Sequence, residues 1–197
     1  ITRTRAWEHG LVEVQDLGSQ IVLESSPAAA GERWLDACAG AGGKTLQLAR
    51  MLGAKGRVDA HDIRPSALRE LEIRATRARA TTISVVPALP ATAAYDGVLV
   101  DAPCSGTGTW RRNPEARWRL TPARLDRLVS EQARILDFAA PLLAPGGVLL
   151  YATCALTDRE GRDQVEALRR RGRTDVAALT SDTSSDDVNA ILASLSG

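Results

Sequence analysis

Arg33-Trp-Leu-Asp-Ala-Cys-Ala-Gly-Ala-Gly-Gly-Lys-Thr45 is the stretch on which the fold turns. It opens as a short apolar run, closes that run on Asp36 and passes into the glycine cluster Gly40-Ala-Gly-Gly43. A buried strand that bends sharply into a helix has this pattern, because glycine supplies the backbone freedom of a tight turn. Leu46, Ala49 and Leu52 then recur at helical spacing, which predicts a helix over 45–52 with Gly53 as its stop. Upstream, Gln15–Glu24 reads as a helix with Asp16 in its first turn. Downstream, strands are expected over 57–63, 81–86, 95–101 and 148–153. Helices are expected over 65–80, from the Thr121-Pro122 cap toward Leu143, and over 157–171, with Pro145-Gly-Gly147 as a turn. Strands that alternate with helices imply an α/β fold with a mostly parallel, doubly wound sheet. Residues 1–171 read as the core and 172–197 as an atypical, Ser/Asp/Thr-rich tail.

The chain has 197 residues, is 44% hydrophobic and balances 25 Lys+Arg against 24 Asp+Glu, so one compact domain with a real core is expected and disorder throughout is excluded. No apolar run approaches the roughly 18 residues of a membrane span. Three cysteines, Cys38, Cys104 and Cys154, form no CxxC pair, and His9 and His61 are the only histidines, so no metal site is expected. Free thiols without a secretory signal point to a reducing, cytoplasmic setting. The first residue is Ile1, which reads as an excerpt or a processed product. Every basic residue except Lys44 and Lys55 is arginine.

Glycines before a helix N-terminus bring backbone close to a ligand. A phosphate-binding loop needs GxxxxGK[ST]; Gly43-Lys44-Thr45 supplies its end, but Cys38 stands where the first glycine belongs. A nucleoside cofactor fits better, because Asp62 lies 22 residues after Gly40, where doubly wound sheets carry the acid that binds ribose hydroxyls. Asp36 would face a cationic ligand group. S-adenosylmethionine, with its amino group and sulfonium, suits this; a triphosphate does not. A ligand-free tight turn is the bland alternative.

Asp101-Ala-Pro-Cys-Ser-Gly-Thr-Gly108 follows the fourth strand and Tyr151-Ala-Thr-Cys154 closes the fifth. In an open parallel sheet, ligands bind beyond the carboxyl ends of the strands. Both thiols are therefore expected on the rim that holds the glycine turn, although a free cysteine is more often a small buried hydrophobe. A thiolate that adds to C6 of a pyrimidine makes C5 enolate-like, able to attack an activated methyl. Asp101 would hydrogen-bond the polar edge of the ring. The residues alone do not choose between the two cysteines as nucleophile.

Together, Asp36–Thr45, Asp101–Gly108 and Tyr151–Cys154 resemble RNA (cytosine-5)-methyltransferases of the Sun/Nop type. The likeness is closest to the bacterial small-subunit rRNA methyltransferase B group and runs from about Gln15 to about Glu166, extended by Arg111-Arg-Asn-Pro-Glu-Ala-Arg-Trp118. The resemblance implies a class I, Rossmann-like methyltransferase that makes 5-methylcytosine in RNA, ribosomal by the closest likeness. It implies Cys154 as the nucleophile on C6, Cys104 in release of the methylated product, and Asp101 at the cytosine edge. It implies an S-adenosylmethionine site at Cys38, Ala39, Gly40, Ala41, Gly42, Gly43, Lys44, Asp62 and Asp101. Departures exist. Ala41-Gly42 replaces a loop proline, and Val86-Pro-Ala88 stands where the family places an acid near the adenine. After Thr-Cys the family reads Ser and then a Glu-Glu-Asn cluster, where this chain has Ala155 and Arg159-Glu160-Gly161; Glu160 keeps one of those positions. The two closing strands of the family are not found in 172–197, so a sheet without its last strands is expected. An RNA-binding pseudoenzyme, and a P-loop-like nucleotide hydrolase, are the rival readings.

Arg111, Arg112, Arg117, Arg119 and Arg124 crowd one segment with Trp110 and Trp118 interleaved and Glu115 as its only acid. Arginine binds phosphate and aromatics stack on unpaired bases, so Arg111, Arg112, Arg117 and Trp118 are candidate RNA contacts. The bland reading is a solvated loop with Trp118 anchored in the core. The arginines of the helix over 65–80 read as a solvated, ion-paired face, and Arg169–Arg171 as a solvated helix end. A thiol cannot reach a stacked base, so the target cytosine must be unpaired or flipped out. The family usually adds an N-terminal RNA-binding domain, which this stretch is expected to lack, leaving weak and salt-sensitive RNA affinity.

Overall fold

The computed structural model describes residues 2–89 and 94–172. The chain forms two compact units. One runs to Leu99 and includes Leu142–Leu150; the other comprises Val100–Pro141 and the chain from Tyr151.

The first unit holds α1 (Arg5–Glu8), α2 (Leu17–Glu24), β1 (Arg33–Asp36), α3 (Gly43–Leu52), β2 (Arg57–Ala60), α4 (Pro65–Arg77) and β3 (Ile83–Val85). It also holds most of β4 (Tyr95–Asp101) and β5 (Leu143–Ala152). The strands lie in the order β3-β2-β1-β4-β5. β1 pairs in parallel with β2 (Leu35 beside Asp59) and with β4 (Leu35 beside Val98), and β2 pairs in parallel with β3. The order reverses between β1 and β4, the switch point of a doubly wound sheet, as expected. Trp34, Leu35, Val58, Val98 and Leu99 are almost wholly buried, in keeping with parallel strands covered on both faces.

Several boundaries differ from the sequence expectation. Asp16 is the N-cap of α2, accepting the Gly18 N–H at 3.1 Å, rather than a first-turn residue. The helix expected to reach Ala80 stops at Arg77, because Arg79 takes a left-handed backbone (φ 54°) that no helix continues. Strands β2 and β3 are shorter than expected. The expected turn at Pro145–Gly147 lies inside β5, which starts at Leu143 and is kinked by Gly146 at φ 78°.

The second unit holds single 3-10 turns at Thr107–Thr109 and Asp158–Glu160 and a six-residue 3-10 helix at Pro114–Arg119, with α5 (Pro122–Ala139) and α6 (Arg162–Arg170). Thr121 caps α5 by accepting the Arg124 N–H at 3.2 Å. Pro141 has no N–H to offer, so the helix expected to reach Leu143 ends at Ala139 and tightens into a 3-10 turn over Ala140–Leu142. Leu136, Ala139, Val165 and Leu168 are buried on α5 and α6. The helix expected over 157–171 is split at Gly161. The tail from residue 173, and with it the expectation about closing strands, lies outside the described residues. Among those described, no helix is long and apolar enough to cross a membrane, and no three His, Cys, Asp or Glu residues group as metal ligands.

Candidate active site

In the first unit, the strand-to-helix turn after β1 is braced from below. Asp36 is 1% exposed; its Oδ2 accepts the Thr45 hydroxyl at 2.7 Å and its Oδ1 the Cys38 N–H at 3.3 Å. The carboxylate expected to face a cationic ligand group is thus engaged in holding the turn. Thr45 is buried with its hydroxyl committed to Asp36, which leaves a P-loop reading without its metal-facing hydroxyl. Gly40 donates its N–H to Asp62 Oδ2 at 2.9 Å, so turn and acid are brought together as expected. Arg64 adds its own N–H (2.8 Å) and its Nε (2.9 Å) to Oδ1, and Nη2 (3.0 Å) to Oδ2. Burial pushes the Asp62 carboxyl upward, but the bonds from Arg64 and Gly40 outweigh it and hold the group below its ordinary value. Arg64 was not foreseen. Its guanidinium bonds both Asp62 oxygens, and its side chain is 65% exposed.

The arginines of α4 are not all solvated, contrary to expectation. Arg74 and Arg77 expose only 15% and 14% of their side chains and both pair with Glu13. Arg74 Nη1 also donates to the Ala41 carbonyl at 2.8 Å and so supports the glycine turn from α4. Gly42, at φ 88°, leaves no room for a side chain: a Cβ would sit 2.7 Å from Leu71 Cγ. Gly42→Ala is expected to cost about 2 kcal/mol or more from left-handed strain and overpacking together. A lower urea midpoint at unchanged slope would register it.

In the second unit, Cys104 and Cys154, 50 residues apart in sequence, bring their sulfurs to 3.1 Å. That is too far for a disulfide bond and close enough for a thiol hydrogen bond. Cys104 is partly buried and Cys154 exposed. The hydrogen bond to Cys154, together with burial, raises Cys104 far above the usual thiol value. Either sulfur can be the donor of that contact. Asp101, the last residue of β4, lies three residues before Cys104 and is partly buried. The two cysteine segments close on one another through Gly108, whose N–H donates to the Cys154 carbonyl at 2.9 Å. A Cβ there would lie 2.7 Å from that oxygen. Leu156 N–H donates to Thr107 Oγ1 at 2.7 Å alongside.

Glu160 lies beneath both segments, 0% exposed, and accepts hydrogen bonds from Ser105, Thr157 and Gln132. Burial pushes its carboxyl upward, yet the donors led by Ser105 outweigh burial and hold it below the ordinary carboxylate value. A depressed folded value means that its stabilising contribution is complete above the unfolded value of about 4.3 and drains away as pH falls through the folded one. Acid unfolding of Glu160→Gln should therefore depend less steeply on pH below about 4.3 than that of the unaltered chain, as followed by circular dichroism.

Arg111, Arg112, Arg117 and Trp118 are all exposed. Trp118 is not anchored in the core: it is 77% exposed, with the Arg117 guanidinium 4.6 Å from its ring centre. Arg171 pairs with Asp137 at 2.9 Å, as a solvated helix end would.

The family model described as 16S rRNA methyltransferase RsmB/F matches residues 21–192. The ribosomal RNA small subunit methyltransferase B of Xanthomonas campestris is 35% identical over 181 residues, covering 87% of this chain and 41% of that one. Its namesake from Salmonella typhi is 36% identical over 177 residues, with the same 87% and 41% coverage. The crystal structure of NSun6 from Pyrococcus horikoshii with SFG superposes with a TM-score of 0.79 at 27% identity, covering 87% of this chain and 45% of that one. The chain spans about two fifths of the length of these curated relatives.

Proposed function

Because the chain belongs to the 16S rRNA methyltransferase RsmB/F family, we propose that it methylates C5 of a cytosine in ribosomal RNA through a covalent cysteine adduct. S-adenosylmethionine is the cofactor and, when bound, supplies an electrophilic methyl group. The turn Cys38–Lys44 with Asp62 holds it, once Arg64 releases the Asp62 oxygens.

The observation that carries the reading is the sulfur pair at 3.1 Å. A methylator of an exocyclic amine has no use for paired thiols, and a pseudoenzyme has no reason to hold them in contact. The difference in exposure within the pair supports the assignment of roles: Cys154 is exposed and Cys104 partly buried. Cys154, as its thiolate, gives an electron pair to C6, and the density displaced onto C5 bonds the incoming methyl. The contact with Cys154 and burial raise Cys104 above the usual thiol value, and that contact is lost once Cys154 is bonded to carbon. Cys104 can then lose its proton to solvent and act in release. Its thiolate takes the C5 proton, the C5–H pair re-forms the C5–C6 double bond, and the C6–S pair returns to Cys154. Asp101 contacts the polar edge of the ring. Arg111, Arg112, Arg117 and Trp118 engage the RNA backbone and unpaired bases around a flipped cytosine.

Transfer of a tritiated methyl group from S-adenosylmethionine to unmodified small-subunit rRNA, followed by nucleoside analysis, tests this. Label in 5-methylcytidine is expected. Label in any other nucleoside, or none with RNA and cofactor saturating, defeats the proposal.

A further inference from the structure

We propose that Glu160 is a positioning residue for the thiol pair: its buried carboxylate ties together the two irregular segments that carry Cys104 and Cys154 and so sets the sulfur–sulfur distance. The part of this that concerns turnover rests on the methylation reading; the part that concerns the thiols does not.

Residues 102–106 and 153–157 belong to no helix or strand, so regular backbone pairing does not fix the cysteines in place. Glu160 does so from one point. Oε1 accepts the Ser105 N–H at 2.7 Å and Gln132 Nε2 at 3.1 Å. Oε2 accepts the Ser105 hydroxyl at 2.5 Å and the Thr157 hydroxyl at 2.9 Å. The Glu160 carbonyl accepts the Tyr151 hydroxyl at 2.7 Å. Gln132 Nε2 in turn donates to the Pro103 carbonyl at 2.9 Å. Pro103 and Ser105 flank Cys104 directly, and Tyr151 and Thr157 stand three residues either side of Cys154. Glu160 therefore reaches both cysteine segments, its carboxylate directly at Ser105 and Thr157 and through Gln132 at Pro103, and its backbone carbonyl at Tyr151.

The chemistry of the partners explains why the residue is an acid. All four groups that meet its side chain are donors, and only an ionised carboxylate accepts on both oxygens. Such charge-assisted bonds are about twice as strong as neutral ones. Glutamine fits the space but turns an amide against the two hydroxyls, which must rotate to accept. Alanine leaves the Ser105 N–H without its acceptor and the Gln132 amide with the Pro103 carbonyl alone. The bonds described involve no residue of the glycine turn.

Phenylarsine oxide reads the geometry without RNA or cofactor. It condenses with two thiols, forming two As–S bonds and releasing one water, and needs both sulfurs within reach of a single arsenic. The unaltered chain should bind one equivalent tightly, in a form reversed by a dithiol and not by a monothiol, and Cys104→Ala and Cys154→Ala should each abolish this. Glu160→Gln should weaken capture about tenfold and Glu160→Ala more. In methyl transfer, both variants should lower kcat at least tenfold and leave KM for S-adenosylmethionine within a factor of two. Should Glu160→Ala lose its helical circular dichroism, Glu160→Gln decides alone. Capture and kcat both unchanged in Glu160→Gln overturn the proposal. Weakened capture in a protein whose unaltered form makes no 5-methylcytosine upholds the positioning role and defeats the methylation reading.

Discussion

Cys154→Ala is expected to abolish methyl transfer, with a loss of about four orders of magnitude or more, the scale seen when a covalent nucleophile is removed. The size follows from the chemistry. C5 of cytosine is a poor nucleophile until C6 is saturated, and the exposed sulfur of Cys154, in contact with Cys104, is the group proposed to saturate it. A partial substitute is not at hand: alanine cannot bond C6, and the neighbouring thiol of Cys104 is partly buried. S-adenosylmethionine affinity, measured by isothermal titration, should stay within a factor of two, because the glycine turn and Asp62 keep every bond described for them. Rates comparable with those of the unaltered chain would remove the covalent mechanism altogether.

The second large effect has the opposite appearance. Cys104→Ala should leave the first half of the reaction running and stop the second, so that protein and RNA accumulate as one covalent species. On a denaturing gel this species should rise from undetectable to a major fraction of the limiting component. The asymmetry follows from the proposed roles: Cys104 lies 3.1 Å from the sulfur proposed to bond carbon, near enough to act as that bond is broken. If the trapped species formed with Cys154→Ala and not with Cys104→Ala, the two roles would be exchanged.

Much of the architecture is legible in the chain because it is written in local patterns. The glycine turn, the acid 22 residues beyond it and the parallel order of strands follow from periodicity and spacing. The convergence of two cysteines is legible only through topology: strand ends in such a sheet share a rim, whatever their separation in sequence. Element ends were less readable. The stop of α4 depends on the left-handed conformation of Arg79, which nothing in an arginine announces. The start of β5 depends on a glycine kink that reads equally well as a turn.

Side-chain ties across long separations were not readable at all. Ser105 and Glu160 are 55 residues apart, and Glu160 stands out in the sequence only through the resemblance, in a stretch that reads as helix. Arg74 on Ala41 belongs with them: an arginine on a polar helix carries no mark that it points inward. A faint signal existed for Arg64, since it stands two residues after the acid, at a spacing where a side chain can fold back on its neighbour.

Trp118, standing in the open with a guanidinium stacked on it, gives the protein a built-in optical reporter. Its indole should emit toward the red and be readily quenched by acrylamide, while Trp34, 1% exposed between packed strands, should emit toward the blue and resist quenching. The red component would shift or dim when a polyanion covers that loop, so docking on this face can be followed in solution without attaching a dye.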